Sequence, residues 1–178
     1  VRPFRPVLVS VLLVILTACG EAPEAYAPPP QRQAPEGSGY AYLGRYVHMN
    51  DINAEAYLVH DVAPAVESGA WRWTWRRPEL RFYLRETAGL EFALDFAIAD
   101  ATFRQTGPVT LTLFLNGQRF SEVRCPRPGA RQVRVPVPAG LAHANAVNTV
   151  VIQPDKVWVS PTDGAVLGFI LSGAGFVP

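Results

Sequence analysis

The sequence predicts an all-β protein built as a two-sheet antiparallel β-sandwich, and three observations carry that prediction. Several segments alternate apolar and polar residues with the period of two that places one set of side chains on each face of a strand. Turns rich in Gly, Pro and Asn separate these segments at short intervals, and helical periodicity is nearly absent. Seven or more short strands joined in this way pack as two sheets, because each sheet has one apolar face to bury.

The elements follow in order from Tyr40. YAYLGRYVHMNDINAEAYLVHDV reads as two strands joined by Asn50-Asp51-Ile52-Asn53. WRWTWRR, residues 71–77, sets Trp71, Trp73 and Trp75 on one side and Arg72, Thr74 and Arg76 on the other. In residues 90–98, Leu90, Phe92, Leu94, Phe96 and Ile98 share a face, with Glu91 and Asp95 opposite. Residues 109–120 align Val109, Leu111, Leu113 and Leu115 before Asn116-Gly117, two residues that tolerate the positive φ of a type I′ hairpin turn. RQVRVPVP points Val133, Val135 and Val137 inward, and its prolines, which lack an N–H, make residues 132–138 an edge strand. TVVIQP at 149–154, VWVS and then VLGFIL at 166–171 supply the remaining strands. The one stretch with room for a helical turn is GLAHANAVN, residues 140–148, whose place between strands makes it otherwise a loop.

Ahead of the strands stands VRPFRPVLVSVLLVILTACG: two arginines, an apolar run from Val7 to Ala18, and a cysteine. A membrane-spanning helix needs about 20 apolar residues, so this run has the layout of an export signal instead. Leu16-Thr17-Ala18-Cys19 resembles the lipobox of bacterial lipoproteins. That resemblance implies cleavage after residues 1–18 and lipidation of Cys19, which would hold the protein at a membrane in the bacterial cell envelope. One acyl chain binds a bilayer only marginally, whereas two or three anchor a soluble domain. In a cell with two membranes, Gly20 in place of the retention aspartate implies onward transport to the outer membrane. Residues 19–39 carry prolines at 23, 28, 29, 30 and 35 and few large apolar side chains. They read as an extended tether, which leaves residues 40–178 for the sandwich.

Charge and cysteine content narrow the partners. Removing Arg2 and Arg5 with the leader leaves 14 basic and 15 acidic residues, with a single lysine, Lys156. No clustered basic footprint survives to neutralise a run of phosphates, which excludes nucleic acid. With Cys19 lipidated, Cys125 has no partner in the chain and is expected to be buried as a small hydrophobe. His48, His60 and His143 stand too far apart for a metal-ligand spacing, so no metal or cofactor is expected.

The later chain adds a second resemblance. A strand ending in Leu115-Asn116-Gly117, a return strand, a proline-rich strand and then Ala146-Val147-Asn148-Thr149-Val150 is similar to the jelly-roll sandwiches of the galactose-binding-like family. The likeness spans residues 70–177, and the glycine of the family's second motif is missing here. It implies a jelly-roll topology, in a family whose members include carbohydrate-binding modules and copies that merely stabilise a neighbouring enzyme.

Catalytic patterns are missing. The sequence holds no G-x-S-x-G elbow, H-E-x-x-H, G-x-x-x-x-G-K-[ST] or G-x-G-x-x-G, and Glu91 and Asp95 occupy ordinary polar slots of a strand. The protein is therefore expected to be no enzyme. The tryptophans are the functional lead: Trp71, Trp73, Trp75 and, in a later strand, Trp158 could form a platform for a glycan. Large side chains at spacing two more often fill a core, however, and with Arg72 and Thr74 read as the solvent face the tryptophans are expected inward. The expected function is thus a structural or protein-interaction module of the envelope, with a glycan-binding module as the alternative. Exposed tryptophans in a concave patch would favour the second.

Overall fold

The computed structural model describes residues 42–178. The leader, the lipidation site Cys19 and the tether up to residue 39 lie outside the described residues. In chain order the elements are β1 (Tyr46–His48), a 3-10 turn (Ala54–Tyr57), β2 (Leu58–Val62), β3 (Arg72–Leu84) and β4 (Glu91–Ile98). Helix α1 (Asp100–Thr106), β5 (Val109–Leu115), β6 (Gln118–Cys125) and β7 (Gly129–Pro136) follow. The last are β8 (Ala146–Pro154), β9 (Trp158–Val159), β10 (Val166–Leu167) and β11 (Ile170–Val177).

The hydrogen-bonded path runs β6-β5-β8-β3-β11-β4-β7, with β1 beside β11, β2 beside β3, and β9-β10 as a separate hairpin. Every pairing is antiparallel. Strand β3 folds this path into two layers. Its first residues, Arg72 and Trp73, pair with Leu171 and Ile170 of β11, whereas Glu79 to Leu84 pair with Val151 to Ala146 of β8. One layer therefore holds β1, the start of β3, β11, β4 and β7, and the other holds β2, the rest of β3, β8, β5 and β6. This is the expected jelly-roll-like sandwich.

Alternation decides which side chains meet between the layers. Phe92, Leu94, Phe96 and Ile98 from β4 and Val109, Leu111, Leu113 and Leu115 from β5 are all buried, as their spacing requires. Rings from both layers close the core edge to face: Phe82 of β3 against Phe176 of β11 at 5.6 Å, and Phe92 of β4 against Phe120 of β6 at 6.3 Å. Cys125 is fully buried among them, and burial pushes its thiol above the ordinary value. Strand β7 ends the path at an edge, where Pro136 faces Glu91.

Four details depart from the sequence reading. A helix forms at Asp100–Thr106, with no side-chain cap at Ala99; Gly107, at φ +68°, closes it by donating its N–H to the Phe103 carbonyl. Residues 140–145 form no helix. Their turn is pinned by Asn148, whose amide accepts from the His143 N–H at 2.7 Å and donates to the His143 carbonyl at 2.8 Å. Residues 166–171 break at Gly168 and Phe169, and only glycine fits at 168, where a Cβ would stand 2.4 Å from the Trp75 carbonyl oxygen. Finally β3 runs on through Pro78 to Leu84, and β11 runs on through Gly173 and Gly175 to Val177.

The Asn116-Gly117 turn is the expected hairpin: both residues have positive φ, 49° and 80°, and Leu115 pairs directly with Gln118. Asn116 also reaches across to β8, donating to Asn148 Oδ1 at 2.9 Å and accepting from the Thr149 N–H at 3.0 Å. The space around Gly117 is open, so replacing it with valine adds backbone strain and no clash. Gly117→Val is expected to lower the unfolding free energy by about 1–3 kcal/mol in urea titration with an unchanged m-value.

Candidate functional site

The tryptophans do not fill the core. Along β3 the residues buried between the layers are Arg72, Thr74, Pro78, Leu80, Phe82 and Leu84. Trp71 and Trp73 are half-buried on the outside, and Trp75 is 39% exposed. The inward placing of Trp71, Trp73 and Trp75, and the outward placing of Arg72 and Thr74, are thus corrected, while Arg76 is exposed as expected. The reason lies in the carbonyls that the interior leaves open. Arg72 Nε donates to the Met49 carbonyl at 3.1 Å, and its Nη1 donates to the carbonyls of Ala63 at 3.4 Å and Pro64 at 2.5 Å. Thr74 Oγ1 donates to the Phe169 carbonyl at 2.7 Å and accepts from the Phe169 N–H at 3.0 Å. An indole offers a single N–H donor against the three carbonyls that Arg72 serves, and no acceptor for the Phe169 N–H; leaving a buried backbone group unpaired costs roughly 1–3 kcal/mol each.

Directly paired residues share a face, so the register maps the outer surface of the first layer. Trp73, Ile170 and Ala97 form one row, and Ala130 of β7 extends it beside Ala97. The next row is His48, Gly173, Asp95 and Gln132; the one after it is Tyr46, Gly175, Ala93 and Arg134. Trp71 stands edge-on to Trp73, ring centroids 5.5 Å apart at 89°. One face thus carries an aromatic end and a polar end. The strip between them holds only alanine and glycine from β4, β7 and β11, and Tyr46 covers its glycines.

Tyr46 crosses that strip. Its hydroxyl donates to Asp95 Oδ2 at 2.6 Å, and its ring meets His48 edge-on at 5.0 Å. A Cβ on Gly173 would stand 2.4 Å from the Tyr46 hydroxyl, so only glycine lets the ring lie over β11. Two adjoining depressions, about 300 and 420 Å³, share Asp95 and Gln132; Tyr46, His48 and Arg134 line the first, Ala130, Arg131 and Ser172 the second.

Trp75 occupies a different setting. The β2–β3 register jumps from His60↔Glu79 to Val62↔Thr74, so residues 75–77 bulge out and are all exposed. The Arg77 N–H is held by Asp61 Oδ2 at 2.7 Å, with Asp61 itself at φ +59°. Trp75, Asp61, Arg76, Val166 and Leu167 line an open groove of about 480 Å³. Trp158 is half-buried and pairs with Leu167, which brings it to the flank of that groove; the described ring contact between tryptophans is the one joining Trp71 and Trp73. The polar residues Tyr46, His48, Asp95, Gln132 and Arg134 were not singled out as a site by the sequence. The alternation placing Asp95 outward was legible; its junction with Tyr46 depends on a pairing between β1 and β11.

Burial and the neighbouring Asp95 carboxylate push the Tyr46 hydroxyl far above its ordinary value near 10. The folded state therefore favours the protonated phenol. This contribution to stability is complete below about pH 10 and is lost as pH rises through the folded value. Melting temperatures measured from about pH 9 to 12 are expected to fall more steeply for the parent than for Tyr46→Phe.

No family model matches the chain, and no curated protein matches it. Solved structures with similar coordinates exist. A family 35 carbohydrate-binding module from an environmental isolate aligns at TM-score 0.45 and 11% identity, over 75% of this chain and 96% of that one. An exo-β-1,3-galactanase from Phanerochaete chrysosporium aligns at TM-score 0.45 and 12% identity, over 76% of this chain and 29% of the enzyme. A family 35 module from Paenibacillus barcinonensis aligns at TM-score 0.41 and 10% identity, over 76% of this chain and 99% of that one.

Proposed function

We propose that the domain is a non-catalytic carbohydrate-binding module, carried on a proline-rich tether from a lipid on Cys19. The observation that supports it most is the outward turn of Trp71 and Trp73 onto a sheet face that also presents Asp95, Gln132, His48 and Arg134. An indole face stacks on the apolar C–H surface of a sugar, and hydroxyls around the sugar rim need donors and acceptors close by. Half-burial serves this purpose, because a ring already braced by its neighbour gives up little freedom when ligand arrives.

A protein-interaction role has one feature of its own: the groove of Trp75, Val166 and Leu167 is mainly apolar and lies at the bulge, away from the polar rows. The two readings separate by mutation. In the full-length chain purified in detergent, Trp71→Ala and Trp73→Ala are expected to keep a cooperative thermal melt. Each should weaken retention on insoluble glycans at least tenfold, a loss of about 1.4 kcal/mol or more. Trp75→Ala should leave that retention within twofold. Retention unchanged in both Trp71→Ala and Trp73→Ala would remove the platform.

The anchor rests on Leu16-Thr17-Ala18-Cys19 alone. Cys19→Ser is expected to move the protein from the membrane to the soluble fraction on cell fractionation. An unchanged distribution would rule the anchor out.

A further inference from the structure

A cavity of about 520 Å³ lies away from the tryptophans, at the end of the sandwich where β3 turns into β4. Trp73 and Tyr83, which lines the cavity, stand ten positions apart on β3. That separation is roughly 30 Å at about 3.3 Å per residue, so one sugar cannot touch both.

The cavity is built on fixed backbone. Leu43, Leu84 and Leu90 line it and are buried. The Gly44 N–H donates to the Tyr57 hydroxyl at 2.6 Å, and the Arg45 carbonyl accepts from the Phe176 N–H at 2.6 Å. The segment that carries Arg45 is therefore tied to the core at two points. Tyr83 is held by its pairing with Val147 of β8, and the Leu90 carbonyl by the Val137 N–H at 2.9 Å. A site supported in this way is formed before a ligand arrives, and its volume falls within the range of about 300–1,000 Å³ usual for small molecules.

The rim is rich in donors. Tyr42, Arg45, Tyr83 and Arg85 surround the apolar floor, and the one carboxylate among the lining side chains is Glu86. Among the described residues, neither guanidinium has an ion-pair or hydrogen-bond partner, and neither phenol hydroxyl has one. Arginine donates only, and its fork matches the paired oxygens of a carboxylate or a phosphate. A phenol ring offers its face to the C–H side of a sugar. The rim thus suits a ligand rich in acceptors, and the floor suits its ring.

We infer that this end of the sandwich is a second ligand site, for a sugar acid or sugar phosphate of one or two rings. The ring lies against Tyr42 and Tyr83, and the oxyanion is held by Arg45 and Arg85. The site stands independently of the carbohydrate reading of the tryptophans.

The test is calorimetric titration of the full-length chain in uncharged detergent with galacturonate and glucose 6-phosphate. These separate a carboxylate from a phosphate, and galactose and glucose are their neutral counterparts. At least one anion is expected to bind at least tenfold more tightly than its neutral counterpart. Arg45→Gln and Arg85→Gln, at exposed positions, should melt cooperatively and retain insoluble glycan like the parent, yet each should weaken the anion at least tenfold. Trp71→Ala and Trp73→Ala should leave it within twofold. Equal binding of anion and neutral counterpart would overturn the oxyanion assignment. An affinity lost in the tryptophan variants and kept in the arginine variants would place the anion on the tryptophan face and overturn the second site. No measurable binding of either anion by the parent would overturn it outright. Retention on insoluble glycan reports separately on the carbohydrate reading in each case.

Discussion

A guanidinium group cannot sit between two apolar sheets without acceptors, and Arg72 finds them in the carbonyls of Met49, Ala63 and Pro64. Those carbonyls belong to the segments that leave β1 and β2. Strand β4 occupies one edge of β11, so β1 and the start of β3 must share the other, one after the other. Arg72 lies at the seam between them. A strand's side chains alternate strictly, so the inward turn of Arg72 fixes the direction of its neighbours. Trp71 and Trp73 go outward as a consequence, and the aromatic end of the outer face follows from one buried charge.

The same seam explains how the polar end is organised. β1 is only three residues long, yet it places Tyr46 and His48 over the glycines of β11. Small residues at 173 and 175 do two things at once. They let Tyr46 cross to Asp95, and they let the Arg45–Tyr46 backbone lie against β11, where a Cβ at 175 would stand 2.3 Å from the Arg45 carbonyl oxygen. The Tyr46–Asp95 hydrogen bond then holds a carboxylate still on a solvent-facing sheet, where such a side chain would otherwise sample several rotamers.

Much of the architecture was legible because alternation and turn chemistry are local. The runs in β4 and β5, the Asn116-Gly117 hairpin and the edge position of β7 all follow from period two and from proline's missing donor. What was not legible depended on distant partners. Strand β11 continues through Ser172-Gly173-Ala174-Gly175, residues that pack little against a sheet by themselves, because Tyr46 arrives from β1 to cover the glycines. The long second half of β3 passes through Pro78, where the register against β2 has already been broken by the bulge. The tryptophans misled for the same reason: WRWTWRR states a period and leaves open which phase faces inward. Composition favours the indoles, and only the carbonyls of Met49, Ala63, Pro64 and Phe169 reverse the choice.

The position of β11 carries a kinetic consequence. It lies between β4 on one side and β1 and β3 on the other, although every one of those strands precedes it in the chain. Its shortest pairing in sequence, Ile170 with Ala97, already spans 73 positions, and Tyr46 with Gly175 spans 129. Closing loops of that length costs entropy before any contact rewards it. The first layer therefore cannot assemble strand by strand as the chain emerges. It must wait for its middle member, and slow, concerted closure is built into the order of the strands.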